Sequence, residues 1–350
     1  MVKFDSPVQT KYVENNSVVL HVSLPAERSE KVPVVIIAHY WGATDLKNES
    51  DMSDRLASRG IASIIIELPY HLSRTPYGTR SGQLAIEPDP YLIRKSMTQA
   101  VLDIRRTVDW AEFSGLFDNQ KIGIVGTSLG AVVSSIAFGV EPRFSCYCSV
   151  LGGGDVAAIL WSSSRLVKQR EVLRNRGWKL DSLRKELVEI EPLNYLKKDD
   201  VRPAYFILAR YDTVIPVESQ RLLSESTGDK PKLWLDTGHY GGFLVQPSVQ
   251  RTVANFFSET FRGIPFEPPS RLFAPTIRLA SIAAFPTGLQ VGVGLDLWKS
   301  NENADGFGTL MLTPKGPQGF IGYKLKGGFA IGVSITPKRS GPGILWNFVL

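Results

Sequence analysis

One pentapeptide combines a nucleophilic side chain with two glycines: Gly126-Thr127-Ser128-Leu129-Gly130. It directly follows the strand-like run KIGIV (121–125) and leads into a segment rich in Ala, Val and Ile that is typical of a helix. In the order strand, sharp turn and helix, the pattern Gly-x-Ser-x-Gly exposes the serine hydroxyl at the end of a sheet. The start of a helix also favours developing negative charge. Ser128 is therefore the predicted nucleophile; the alternative is a serine that only caps a helix.

A serine nucleophile needs a base, and the base needs an acid that orients it. On sheets of this type the chain order is Ser, then Asp or Glu, then His. Of the four histidines, His239 is the one that follows Ser128, and it lies in a loop beyond a strand-like segment. Asp212 comes shortly after the strand-like run AYFILA and is the predicted acid. Asp236, three residues before His239, is an alternative, as are two aspartates that precede AYFILA.

Acyl transfer also needs two preorganised N–H groups that hold the oxyanion. We expect one from Leu129, the residue after the nucleophile. We expect the other from the turn His39-Tyr40-Trp41-Gly42, which follows the first buried strand. Trp41 is the favoured donor and Tyr40 the alternative; a role of both rings as pocket wall alone stays open.

Bulky side chains near these positions predict a confined, mostly apolar acyl pocket. We expect its walls to include His39, Leu160, Trp161 and Tyr240. A pocket of this kind favours substrates with short acyl chains.

The elements that must position these residues alternate between strand-like runs and helical segments. Continuous apolar runs such as VPVVIIA (32–38) and IASIIIE (61–67) are typical of strands buried on both faces of a parallel sheet. Two short strands with a turn at Asn15 and Asn16 are predicted to come first. The predicted helices between the runs are 46–59, 91–113, 129–139 and 247–262. This alternation predicts an α/β fold with a mostly parallel sheet and helices on both faces.

Residues 155–190 form an unusually long connection between two of the strands. Two amphipathic helices are predicted there, over 157–177 and 180–192. Insertions of this length are usually functional or mobile, and this one follows the carboxyl end of a strand, where open α/β sheets bind ligands. We expect a lid-like or pocket-forming role; the alternative is a plain pair of surface helices.

The composition changes after residue 262. Residues 263–275 hold four prolines and predict a stiff linker. Beyond it, apolar residues alternate with period two, and about six strands fit into 277–350. We therefore expect a catalytic domain over 1–262 and a small all-β domain, sandwich or barrel, over 276–350.

Composition also sets limits on other functions. The net charge is +6, and residues 263–350, with 8 Lys or Arg and 4 Asp or Glu, carry most of it. The basic residues of the β module form no convincing nucleic-acid surface. The histidines and the two cysteines have no metal-ligand spacing, and the closely spaced glycines of the module open no helix. We expect no metal, no cofactor and no nucleic-acid partner.

The start of the chain has no apolar segment typical of a secretory signal. No apolar run approaches the ~20 residues that a membrane-spanning helix needs. We therefore expect a cytoplasmic protein without a membrane partner.

Four segments together resemble the α/β-hydrolase superfamily: AHYWG (38–42), GTSLG (126–130), ARYDTVIP (209–216) and DTGHYGGF (236–243). The resemblance covers residues 1–262. Gly152–Asp155, followed by the helical insertion, resembles bacterial hydrolases close to the dienelactone-hydrolase and prolyl-oligopeptidase-like esterase groups. The resemblance implies the α/β-hydrolase fold and a two-step acyl transfer through a serine.

These observations favour a carboxylesterase that cleaves short-chain acyl esters of small molecules. A peptidase or amidase of the prolyl-oligopeptidase-like type is the alternative, but such enzymes usually place a β-propeller first, and here the first buried strand begins at residue 32. A non-catalytic binding protein on a hydrolase scaffold is the third hypothesis. We expect self-association through the β module; carbohydrate binding and shielding of the active site are alternatives for it.

Overall fold

The structure, a computed structural model, describes residues 1–27, 31–270, 272, 277–285, 287–299, 306–325 and 328–349. The chain divides into two units. The first consists of Met1–Leu208, Thr213–Trp234 and Pro247–Arg271, and the second of Ala209–Asp212, Leu235–Gln246 and Leu272–Leu350. Part of the predicted linker, 271 and 273–275, lies outside the described residues.

An eight-stranded sheet forms the centre of the α/β fold. Its strands are β1 Val2–Asp5, β2 Ser17–Ser23, β3 Val32–Ala38, β4 Ala62–Ile66, β5 Phe117–Thr127, β6 Phe144–Val150, β7 Ala204–Ala209 and β8 Lys232–Leu235. Their spatial order is β1-β2-β4-β3-β5-β6-β7-β8. The pairs β3/β4, β3/β5, β5/β6 and β6/β7 are parallel, whereas β1/β2 and β2/β4 are antiparallel. The predicted mostly parallel sheet is confirmed.

Eight α-helices accompany these strands within the described residues. They are α1 Lys47–Ala57, α2 Pro90–Phe113, α3 Leu129–Val140, α4 Val156–Ser162, α5 Val167–Asn175, α6 Leu180–Glu186, α7 Val217–Glu225 and α8 Gln246–Phe261. The four helices predicted outside the insertion agree with α1, α2, α3 and α8. No described helix is long and apolar enough to cross a membrane.

The apolar runs that were predicted as strands have both of their faces buried. All five residues of β4 and all six of β7 are buried, as expected for strands covered by helices on both sides. Cys146 and Cys148 in β6 are free, buried thiols, and burial raises the pKa of Cys146 to about 12. These thiols are part of the core.

The amino-terminal strands differ from the prediction. Asn15 and Asn16 lie in a single 3₁₀ turn, and the first strand is β1, well before them. The Asn16 side chain binds Thr10 in both directions, because its amide donates to the Thr10 carbonyl and its Oδ1 accepts from the Thr10 N–H. This local pairing replaces the expected hairpin.

The insertion contains three helices where two were predicted. The predicted helix 157–177 is interrupted between α4 and α5, at three consecutive serines, Ser162, Ser163 and Ser164. Serine side chains compete for backbone hydrogen bonds and disfavour a continuous helix. Glu191 closes the insertion, since its carboxylate accepts from the N–H groups of Asp155 and Val156 at the start of α4.

The carboxyl-terminal strands form a closed antiparallel barrel in the second unit. They are β9 Ile277–Ala284, β10 Gly288–Lys299, β11 Gly306–Thr313, β12 Gly316–Lys324, β13 Phe329–Ile335 and β14 Ser340–Val349, and they close in the order β10-β11-β12-β13-β14-β9. The predicted small all-β module is therefore a barrel. Inside it, Arg278 donates to both carboxylate oxygens of Asp296 at 2.6 Å, and both side chains are buried.

The outer wall of the barrel is apolar. Outward-facing residues on two of its strands are large and exposed: Leu289, Val291, Val293, Leu295 and Leu297 on β10, and Phe329, Ile331, Val333 and Ile335 on β13. The inward-facing residues, among them Ile282, Phe307 and Phe320, form a small core. Soluble monomers seldom expose apolar patches of this extent.

Candidate active site

Ser128 lies at the sharp turn between β5 and α3. Its backbone has φ 55° and ψ −114°, a conformation that residues other than glycine rarely adopt. Two glycines make the turn feasible: a Cβ on Gly126 would collide with the backbone of Gly130, and a Cβ on Gly130 would collide with the carbonyls of Ala38 and His39. The sequence pattern therefore forms the strained strand–turn–helix geometry that was predicted, and Ser128 itself is buried.

A small cavity of about 60 Å³ lies beside Ser128 in the first unit. Its lining is almost entirely apolar. The lining residues are Trp41, Ile86, Ile93, Met97, Ser128, Leu129, Val132, Val156, Ile159, Leu160, Ser163, Arg165, Leu166, Val214 and Ile215. Arg165 is the charged residue among them.

Leu129 and Trp41, the expected oxyanion donors, line the same cavity as Ser128. Leu129 is the first residue of α3, where a helix N–H has no partner within the helix. Trp41 is held through its indole, whose Nε1 donates to the carbonyl of Gly82 at 2.7 Å. The structure therefore places the N-terminus of α3 and the turn with Trp41 at the same cavity as Ser128.

Tyr40, the alternative donor, is half-buried. Burial raises the pKa of its phenol, and the nearby carboxylates of Glu49 and Asp45 raise it further. The phenol therefore stays protonated at neutral pH.

Asp212 and His239 lie together in the second unit. The Nδ1 of His239 donates to Oδ2 of Asp212 at 2.7 Å, and both side chains are buried. Arg210 and Asp236, on the same two loops, form an ion pair at 3.1 Å. The backbone N–H of Tyr211 donates to the carbonyl of Thr237, which ties the loops together again. Asp236, the alternative acid, thus pairs with Arg210, whereas His239 pairs with Asp212.

The loop with Asp212 also contacts the barrel, within the same unit. The ammonium of Lys324 lies 4.4 Å from the centre of the Tyr211 ring. Burial raises the pKa of Tyr211 to about 12, with a further contribution from the Asp236 carboxylate.

The four expected pocket residues have different surroundings. Leu160 lines the cavity. Trp161 lies outside its lining and stacks with the guanidinium of Arg174 at 4.8 Å. Tyr240 is exposed and packs edge-on against the His239 ring in the second unit.

His39 is fully buried, and its imidazole bonds to backbone atoms instead of facing the cavity. Its Nε2 accepts from the Leu68 N–H at 3.0 Å, and its Nδ1 lies 2.8 Å from the carbonyl of Tyr40. Burial lowers the pKa of His39 to about 4. The His71 ring packs edge-on to it, and burial together with His39 lowers the pKa of His71 to about 3. Both histidines are therefore neutral at pH 7.

Sequence reasoning missed most of the cavity wall. Ile93 and Met97 on α2 are four residues apart and so lie on one helix face, which is the signal that could have indicated them. Arg165 lies in the interruption between α4 and α5 and had no such signal. Among the described residues, no group of three or more His, Cys, Asp or Glu side chains could hold a metal ion.

Comparison with known proteins gives a family match. The family model described as X-Pro dipeptidyl-peptidase (S15 family) matches residues 16–256, more than half of the chain. No curated protein matches the sequence significantly.

Solved structures with a similar fold cover about 70% of the chain. One is a 2,6-dihydroxy-pseudo-oxynicotine hydrolase (18% identity, TM-score 0.53, 74% of this chain and 69% of that one). Another is the acylaminoacyl peptidase of Pyrococcus horikoshii (16% identity, TM-score 0.53, 70% of this chain and 39% of that one). A third is the acetyl xylan esterase of Paenibacillus sp. R4 (18% identity, TM-score 0.53, 68% of this chain and 79% of that one). At these identities the likeness shows the fold.

Proposed function

We propose that this chain, which belongs to the X-Pro dipeptidyl-peptidase (S15) family within the α/β-hydrolases, is a serine esterase for short-chain carboxylic esters. In this proposal Ser128 is the nucleophile, His239 the general base and Asp212 the acid that orients it. The backbone N–H groups of Leu129 and Trp41 hold the oxyanion.

The proposed reaction is a two-step acyl transfer without a cofactor. His239 takes the proton of the Ser128 hydroxyl as the oxygen attacks the acyl carbonyl, and the oxyanion forms. His239 then gives that proton to the leaving alcohol, which leaves an acyl-serine. A water molecule, deprotonated by His239, releases the carboxylic acid and restores Ser128. Asp212 stabilises the imidazolium in both steps.

The cavity beside Ser128 is the observation that carries the proposal. A cavity of about 150 Å³ lined by apolar side chains holds benzene, and the cavity here is about 60 Å³. Its size and apolar walls suit an acyl chain of a few carbons. The strained backbone of Ser128 and the pairing of Asp212 with His239 support the same reaction.

An X-Pro dipeptidyl-peptidase is the second candidate, because the family is described by that activity. Such an enzyme holds a dipeptide as the acyl group and must bind its amino-terminal ammonium. The cavity is small for a dipeptide, and its lining, as far as the structure describes the chain, includes a cation, Arg165, and no carboxylate. These features favour the ester over the dipeptide.

The test compares a p-nitrophenyl ester series, from acetate to palmitate, with Ala-Pro-p-nitroanilide. We expect a maximum of kcat/KM between acetate and butyrate and no release from the anilide. Ser128→Ala serves as the control: it should lose ester turnover and labelling by a fluorophosphonate probe while its melting temperature stays that of the native protein. Faster turnover of the anilide would support the peptidase instead, and native protein without labelling would support a non-catalytic scaffold.

A further inference from the structure

The interruption between α4 and α5 forms a short loop, Ser163–Leu166, which we name the insertion loop. Ser163 and Leu166 are buried, and both line the cavity beside Ser128. Ser164 and Arg165, between them, are exposed. The loop therefore belongs to the cavity wall, while two of its side chains are available for bonds to other segments of the first unit.

Arg165 binds the turn that carries Trp41. Its Nη2 donates to the carbonyl of Trp41 at 3.2 Å, and its guanidinium carbon lies 4.7 Å from the centre of the indole. On the other side, the indole Nε1 donates to the Gly82 carbonyl. The Trp41 residue is thus fixed by bonds from two segments, of which Arg165 belongs to the insertion.

Ser164 binds the segment that follows Asp212. Its N–H donates to the carbonyl of Thr213 at 2.8 Å, and the two hydroxyls are 2.9 Å apart. The insertion loop therefore connects the turn with Trp41 to Thr213.

We propose that Arg165 is a positioning residue that keeps the Trp41 backbone in place as an oxyanion donor, so that the insertion controls the rate of the reaction. This inference rests on the proposed esterase function. Oxyanion donors act through their preorganisation, and a displacement of about 1 Å in a reacting geometry can reduce a rate by roughly two orders of magnitude. A charged hydrogen bond to the Trp41 carbonyl, combined with a cation–π contact, restrains both the backbone and the ring of this residue.

The test uses the full chain with Arg165→Gln, Arg165→Lys and a matched control, Arg174→Gln. Arg174 also stacks on a tryptophan of the insertion, Trp161. For p-nitrophenyl acetate we expect Arg165→Gln to lower kcat roughly tenfold with an unchanged KM. Arg165→Lys, which keeps the charge and can still donate to the Trp41 carbonyl, should recover most of the loss. The control should retain both constants.

Hydrogen–deuterium exchange gives a readout that needs no activity. We expect the amides of the peptide that contains Trp41 and Gly42 to exchange faster in Arg165→Gln and at the native rate in Arg174→Gln. The proposal is overturned by an unchanged kcat in Arg165→Gln, by a raised KM at constant kcat, which indicates substrate binding, or by an equal loss in the control. If the native protein hydrolyses no ester, the proposed function fails. The exchange rates alone then show whether Arg165 restrains the backbone at Trp41.

Discussion

His239 and Asp212 are 27 residues apart in the sequence, yet Nδ1 of His239 donates to Oδ2 of Asp212 across 2.7 Å. The bond fixes the tautomer that leaves Nε2 as the proton acceptor, which is the form a general base needs. Asp236 is near His239 in sequence and pairs with Arg210 instead.

Asp212→Asn should therefore lower kcat for p-nitrophenyl acetate by about three to four orders of magnitude, because the amide no longer stabilises the imidazolium. Asp236→Asn is the matched control and should stay within about tenfold of the native rate. Steady-state kinetics at pH 7 to 8 measure both. A larger loss from Asp236→Asn than from Asp212→Asn would identify Asp236 as the acid.

Gly130→Ala should destabilise the protein and remove activity. The new methyl group would meet the carbonyls of Ala38 and His39, and overpacking of this kind costs about 1–3 kcal/mol. Gly60→Ala is the comparison, since Gly60 has a positive φ of 74° but no neighbour within 4 Å of its absent Cβ. The Gly60→Ala change should cost about 1 kcal/mol, because a residue with a Cβ is disfavoured at positive φ, and should leave activity intact. Urea unfolding and ester turnover are the measurements; equal effects would contradict the role of the close contact at Gly130.

Leu160→Ala should shift the acyl preference to longer chains. Leu160 lines the cavity, so its truncation makes room for about three more carbons, each worth about 0.8 kcal/mol when buried. We expect the ratio of kcat/KM for hexanoate over acetate to rise at least tenfold. Leu173→Ala, at a buried insertion leucine outside the cavity lining, controls for lost stability. An unchanged ratio in Leu160→Ala would show that the acyl chain binds elsewhere.

His71 should make the protein less stable in acid. Its pKa is near 3 in the folded chain and about 6.5 when unfolded, so between these values the unfolded state binds one more proton. The free energy of unfolding therefore falls as the pH drops from 6.5 towards 3, by up to about 1.4 kcal/mol per pH unit.

The test compares the native protein with His71→Gln in urea unfolding between pH 4.5 and 6.5. The free energy of unfolding of the variant should depend less steeply on pH, by the amount that corresponds to about one bound proton. Glu49, whose pKa burial raises to about 7, acts in the opposite direction, because its stabilising neutral form is lost as the pH rises. Glu49 is present in both proteins, so its contribution cancels when the two slopes are compared. Equal slopes would mean that His71 is protonated in the folded state.

The barrel wall should mediate self-association. Val291 and Ile331 are about half exposed on an apolar surface, and burying such a surface is favourable. We expect the native chain to be oligomeric in light scattering and the double variant Val291→Lys, Ile331→Lys to be monomeric. Val201→Lys, at an exposed valine of the first unit, should leave the assembly unchanged. A monomeric native protein would rule out this role of the barrel.

The parts of the site that local patterns specify were predictable from the sequence. The turn at Ser128 needs a strand before it, a helix after it and two glycines beside it, and all of these are readable within about 20 residues. The chain order expected for a nucleophile, an acid and a base indicated Asp212 and His239, and the structure brings these two side chains within hydrogen-bond distance. Apolar runs and period-two alternation likewise predicted the sheet and the small all-β module.

The remaining parts depend on contacts between segments that are distant in the sequence. The pairing of Arg165 with Trp41 joins residues 124 apart, and it exists because consecutive serines end α4, whereas the amphipathic pattern predicted a continuous helix. Trp161 looked like a pocket residue by its type, but it packs against Arg174. β1 is only four residues long, too short for its alternation to be recognised.

The two units are interleaved along the chain, because Ala209–Asp212 and Leu235–Gln246 group with the barrel. A single cut in the region 263–275 therefore yields no intact second unit, since two of its three pieces remain on the other fragment. Removal of the barrel would also take away contacts of the loop with Asp212, among them the contact between Lys324 and Tyr211. The barrel and the two loops with Asp212 and His239 therefore have to be kept or replaced together when the chain is divided.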